Sequence, residues 1–217
     1  MFRQVFDPDN LFWRLISRGV DFVGLGLFWL LLCVPVVTIG PATTALYYTV
    51  VKVFRQKDNA GFRTLWKAFR SNLKKGCAAT LICLPFALLF AFFYSVMSMY
   101  KGQGGMGAVM FVAYWVALLV PAGIVCWLFP LLARFETGLK DAFRTAALLA
   151  LRHLPSTFIV VLLNLELIVV SLERWWPVLF TPVLTSLLTS LFLERIFPKY
   201  LSETEKAVLE GREPEEE

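Results

Sequence analysis

One acidic side chain, Glu166, lies deep inside an apolar run; it is the thirteenth of the nineteen residues from Leu154 to Leu172. A carboxylate at such a depth in hydrocarbon costs about 3 kcal/mol or more, so it must be paired, neutralised or turned toward water. Two chemistries follow. In the first, Glu166 is a proton or cation site with Asn164 close by in the chain, or a polar contact for a partner helix. In the second, it hydrogen-bonds a neighbouring span through Thr185, Thr189 or Tyr114. Asn164 and Glu166 are two residues apart, which sets them on different faces of a helix. A transport pathway usually needs more than one such group, and no second charge lies within a run.

A second candidate is the segment Pro35-Val36-Val37-Thr38-Ile39-Gly40-Pro41. Pro41 drives residue 40 out of the helical region, Gly40 takes a turn readily, and Pro41 suits the first turn of a new helix. Broken helices form binding sites in transporters, and Thr38, Thr43 and Thr44 offer hydroxyls here. The alternative is a plain interhelical turn, in which threonines satisfy backbone groups that Pro41 leaves unpaired. Elsewhere the chemistry is sparse. Cys33, Cys77, Cys83 and Cys126 fall in apolar runs with no C-x-x-C pair and read as small hydrophobes. His153 is the only histidine; packing or headgroup contact at the inner edge of a span suits it better than a metal site. No G-x-S-x-G elbow is present. The expectation is therefore no enzyme, no metal and no cofactor.

The elements that must hold these residues follow from composition. Hydrophobic residues make up 58% of the 217 and charged residues 17%, against about 45–50% and about 25% in soluble domains. This excludes disorder, a collagen-like repeat and a disulfide scaffold, and implies an all-α, polytopic membrane protein. No charge occurs in 22–51, 76–100, 102–133, 154–165, 167–172 or 175–193. A crossing helix needs about 20 apolar residues. The reading is one transmembrane domain over 1–200, with spans near 20–39, 41–55, 77–100, 107–133, 154–172 and 177–195. An acidic tail, 201–217, follows. From Ser202 it has a net charge of −5, and Ser202-Glu203-Thr204-Glu205 has capping-box spacing for a short helix. The first span is expected to be an uncleaved anchor, since no small-x-small cleavage pattern follows it.

Charge sets the orientation, because inner loops carry the excess of Lys and Arg. With six spans and both termini inside, inner segments hold 19 of the 21 basic residues, leaving Lys101 and Arg174 outside. The five-span alternative, with 41–51 at the interface, separates them less well. Each proposed hairpin follows a basic, aromatic segment: Leu11–Gly19, Phe62–Gly76 and Leu139–His153. In the middle one, Phe62, Leu65, Trp66, Phe69 and Leu73 share a face at 100° per residue, with Arg63, Lys67, Arg70 and Lys74 opposite and Lys75 beyond. Such a helix is expected to lie on an anionic inner leaflet. Trp127, Trp175 and Trp176 read as belt residues. The positive charge sits beside the spans, so nucleic acid is not an expected partner.

The stretch Asn10-Leu11-Phe12-Trp13, then LLCVPVVTIGPATTALYYTVVKVFR (Leu31–Arg55), WKAFRSNLKKG and AFRTAALLALRHLPSTFIVVLLN (Ala142–Asn164), resembles the YesL family of bacterial integral membrane proteins. That family has no assigned biochemical function, and its genes are often found beside carbohydrate-uptake and sensor-kinase genes. The resemblance implies a bacterial cytoplasmic-membrane protein doing accessory work in sugar import or its sensing, with a transporter or sensor as partner. The alternative reading of the residues is a small transporter or channel using Glu166 and the Thr-Ile-Gly-Pro break.

Overall fold

The computed structural model describes residues 11–55, 61–100, 105–135, 138–174 and 176–196. The acidic tail, Trp175 and the loop residues 101–104 lie outside the described residues, as does the Trp176 side chain. All regular elements among the described residues are helical. They are α1 (Leu11–Leu32), α2 (Ile39–Val50), α3 (Gly61–Tyr100), α4 (Gly105–Arg134), α5 (Leu139–Arg152), α6 (Leu154–Glu173) and α7 (Thr181–Ile196). A tight turn at Val36–Thr38 precedes α2, and a wider turn at Val51–Arg55 continues it.

The break falls earlier than expected: α1 ends at Leu32, and α2 begins at Ile39. Pro41 thus occupies the first turn of α2, where amides lack an intrahelical acceptor and its missing N–H is harmless.

The basic segments also depart from expectation. Phe62–Gly76 is not a separate helix; it belongs to the beginning of one 40-residue helix, α3. Nothing near Gly76 can stop the helix, since a single interior glycine costs only about 1 kcal/mol. At 1.5 Å per residue α3 is about 60 Å long, twice the hydrocarbon thickness. Leu11–Gly19 likewise runs unbroken into the rest of α1. Only the third segment stands apart, as α5, which meets α6 at 103°. It buries Ala142, Ala146, Leu149 and Ala150 in a cluster with Trp127, Leu128, Leu131 and Leu132 of α4.

α2 runs antiparallel along the first half of α3. At one end, a Cβ on Gly76 would sit 2.7 Å from the Pro41 Cα and N. At the other, Gly61 lies beside Val53 and Leu25. Between them Ala42, Ala45, Leu46 and Val50 share a core with Leu65, Ala68 and Phe69, joined by Leu25 and Val183. Phe62, Trp66 and Leu73, expected on the same apolar face, remain exposed. Arg63, Lys67, Arg70, Lys74 and Lys75 are exposed along this same half of α3.

Beyond Thr80 the character changes. In residues 81–100 of α3 and 105–122 of α4, Gly107 is the only buried position. Phe92 and Val116 are each 64% exposed. The two arms pack on each other: the Tyr114 hydroxyl donates to the Phe90 carbonyl at 2.8 Å, and Tyr94 meets Trp115 edge-on. At 1.5 Å per residue each arm is about 30 Å long, the thickness of a bilayer core. An apolar surface of that extent marks contact with lipid or protein rather than water.

By length and composition three helical stretches can cross a membrane, Val36–Val53, Gly61–Tyr100 and Gly105–Arg134, or four if α5 and the start of α6 form one bent span. The apolar parts of α1 (Gly19–Leu32) and α7 (Thr181–Glu194) are shorter. At about 21 Å each, they fall short of the hydrocarbon thickness by themselves.

The close seating of α2 on Gly76 makes a stability prediction. Gly76→Ala places a methyl against the backbone of Pro41 and should destabilise by about 1–3 kcal/mol. Gly105→Ala, with nothing within 4 Å, should be neutral or slightly stabilising. Thermal unfolding of both variants in mild detergent checks this, and equal midpoints would show that the helices are not in close contact.

Candidate functional site

A largely buried pair of charges comes from the ends of two helices. Arg134 closes α4 and Glu194 lies in the last turn of α7. The Arg134 Nε donates to Glu194 Oε1 at 2.8 Å, and a terminal guanidinium nitrogen donates to Oε2, giving a bidentate pair. The two side chains are only 9% and 13% exposed. The hydroxyl of Tyr47, from the buried face of α2, donates to Oε1 at 3.1 Å. Arg134 also sits where a helix C-terminus favours a cation. With both carboxylate oxygens engaged, the cluster is a polar lock joining α2, α4 and α7.

The helix break is occupied by its own backbone. The Thr38 hydroxyl lies 2.6 Å from the carbonyls of both Leu32 and Pro35, and donates between them. This caps the end of α1. Thr43 donates to the Ile39 carbonyl at 2.7 Å. The Gly40 N–H donates to Thr80 Oγ1 at 3.0 Å, and Thr80 donates to the Gly76 carbonyl at 2.9 Å. The break is thus a joint between α2 and α3, with Pro35 at its entrance and Gly40-Pro41 at the crossing. Two buried polar atoms, the Thr44 hydroxyl and the Trp29 indole N–H, have no hydrogen-bond partner among the described residues.

Trp127 is fully buried and is not a belt residue. Its indole N–H donates to Thr157 Oγ1 at 3.0 Å, and Thr157 reaches the carbonyls of Ala150 and His153 at 2.9 and 3.0 Å. A Cβ on Gly123 would lie 2.5 Å from the Thr157 methyl. This corner holds the 103° bend between α5 and α6. His153 stacks on Trp127 with ring centroids 6.2 Å apart, which is a packing role.

Glu166 and Asn164 are not brought together. Asn164 is half-buried, donating to the Val160 carbonyl at 2.7 Å and, at 3.5 Å, to Thr189 of α7. Glu166 is exposed on another face of α6. The intramolecular partners expected for it are engaged elsewhere: Thr185 donates to Pro182, Thr189 lies beside Asn164, and Tyr114 donates to Phe90. The four cysteines are free. Among the described residues no group of three or more His, Cys, Asp or Glu is placed to hold a metal.

Arg134, Glu194, Tyr47, Thr80 and Thr157 were not singled out by sequence reasoning. Arg134 and Glu194 mark the ends of two charge-free runs, which hints that they share a depth, but no spacing rule links residues sixty apart. Thr80 did carry a signal, because Gly76-x-x-x-Thr80 is a small-x-x-x-small pattern of the kind that lets membrane helices approach.

Fold and site define an all-helical protein with long apolar helices suited to a membrane, joined by a buried ion pair. Residues 22–95 match the model of a family described as a protein of unknown function, DUF624, and the YesL family is a DUF624 family. That match covers the second half of α1, the break between α1 and α2, α2 itself and most of α3. No curated protein and no solved structure matches the chain.

Removing one partner of the lock strands a buried charge. Arg134→Ala and Glu194→Ala should each destabilise by about 3–5 kcal/mol, and Tyr47→Phe by about 1–2 kcal/mol. The double variant Arg134→Leu/Glu194→Leu should recover much of the loss, because it leaves no unpaired charge. Unfolding midpoints of the four proteins in detergent measure this; additive losses in the double variant would argue against a coupled pair.

Proposed function

We propose that the protein is a YesL-type, non-enzymatic membrane subunit of the bacterial cytoplasmic membrane, serving as an accessory or scaffold for carbohydrate uptake or its sensing. The observation that carries the accessory reading is how the chain uses its polar groups. The buried charges are spent on joining α2, α4 and α7, and two threonines of the break on backbone carbonyls, while large apolar faces and a row of cations remain on the surface. The carbohydrate association rests on the resemblance to the YesL family alone. The transporter alternative loses support because the Thr38 and Thr43 hydroxyls, two of the three offered by the break, are already engaged.

The orientation proposed puts both termini and the cationic half of α3 on the cytoplasmic side, where anionic headgroups meet Lys74 and Lys75. Arms 81–100 and 105–122 then cross the hydrocarbon. The α1–α2 turn, seated at Gly76–Thr80, reaches only the inner boundary, so this hairpin does not cross. Charge counting cannot separate a shallow hairpin from a crossing one, since both leave the same residues inside.

Two experiments test these readings. In a background lacking the four native cysteines, Tyr100→Cys should react with a membrane-impermeant thiol reagent in intact cells and Val34→Cys should not. Reaction at Val34 from outside would restore a full first hairpin. Gentle purification should bring down permease or sensor-kinase subunits with the protein; solute flux by the isolated chain, abolished by Glu166→Gln, would instead establish the transporter.

A further inference from the structure

Five exposed residues of α6 fall in register. Leu154, Phe158, Leu162, Glu166 and Val170 recur every fourth position and all are exposed, with Ile159 beside them. Residues four apart on a helix are neighbours on one face, so Glu166 is flanked by Leu162 and Val170 in an otherwise apolar stripe about 24 Å long at 1.5 Å per residue. The face of α6 turned inward is different. It carries Thr157, Val160 and Asn164, which meet Trp127, a core cluster and Thr189 respectively. Among the described residues, Glu166 therefore has no partner that holds α6 to the body.

We infer that this stripe is the docking face for an apolar helix of a different membrane protein, one that carries a Lys or Arg in its apolar run to pair with Glu166. Charge complementarity selects the occupant. Lipid tails cover leucine well but give a carboxylate no partner, and the cost of leaving it there is large. A second copy of this chain fits poorly, because symmetric pairing sets Glu166 against Glu166. Nor can a second copy bring a cation: no Lys or Arg lies inside an apolar run of the sequence, and Arg134, at the end of one, is locked to Glu194. A basic residue on a foreign helix satisfies both the apolar flanks and the acid. This deepens the accessory-subunit reading and rests on it for biological meaning, but the surface can be tested separately.

The probe is a synthetic single-span Leu/Ala helix with one central Lys, reconstituted with the full chain in phosphatidylcholine vesicles and followed by energy transfer. The Lys helix should associate at least tenfold more tightly than the same helix with Leu at that position. Glu166→Leu should erase the difference, while Asp141→Asn, an exposed acid on α5, should leave it intact. Equal binding of the two helices, or a preference that survives Glu166→Leu, overturns the inference. So does Glu166-dependent energy transfer between two labelled copies of this chain, which would make the occupant a second copy. The two readings fail differently. Transporter or sensor subunits that copurify equally well with Glu166→Leu would remove the docking face and leave the accessory role. Lys-helix binding without any native copurifying subunit would do the opposite.

Discussion

The packed half of the molecule depends on a buried ion pair. Arg134 and Glu194 come from the ends of α4 and α7, and each is worth keeping in a low-dielectric setting only because the other is there with good geometry. Tyr47 brings α2 into the same cluster. α2 is in turn seated on α3 through Gly76, so four helices are positioned by one bidentate contact and one glycine crossing. Hydrophobic packing alone would leave helices of this composition free to slide and rotate, since apolar surface is non-directional. The polar lock supplies the direction.

Elsewhere the same economy of polar groups recurs. Where helices cross closely, a small residue makes room and a threonine closes the gap: Gly76 with Thr80, Gly123 with Thr157. Hydroxyls return to carbonyls on their own or a neighbouring helix, as at Thr38, Thr43 and Thr49. Close backbone approach with hydroxyl bridges is how helices associate when the surroundings are as apolar as the side chains. The described residues divide accordingly into a packed body, flanked by the cations of α3, and a hairpin whose two arms pack on each other.

Three surfaces are left after the internal contacts are made, and they differ in chemistry. The hairpin beyond Thr80 is apolar over about the thickness of a bilayer core. The first half of α3 presents a cationic row at positions 63, 67, 70 and 74. The outer face of α6 is apolar with one acid. Outer surfaces this distinct, beside a body whose buried ion pair is spent on joining helices, are the physical basis for the accessory role proposed.

Much of the outline was legible from the residues alone. Helical class, apolar runs, the reversal before Pro41 and the place of Glu166 inside an apolar run all follow from local rules, because run length, proline geometry and the cost of a charge in hydrocarbon act within a few residues. The continuity of α3 was not legible, since amphipathic periodicity looks the same whether a helix stops at Gly76 or goes on. Nor was the depth of the first hairpin, because charge counts report only sidedness. The pairing of Arg134 with Glu194, and the absence of a partner for Glu166 among the described residues, were decided by tertiary structure. Both concern which residue from a distant segment arrives at a given point in space, and that depends on how whole helices seat against one another.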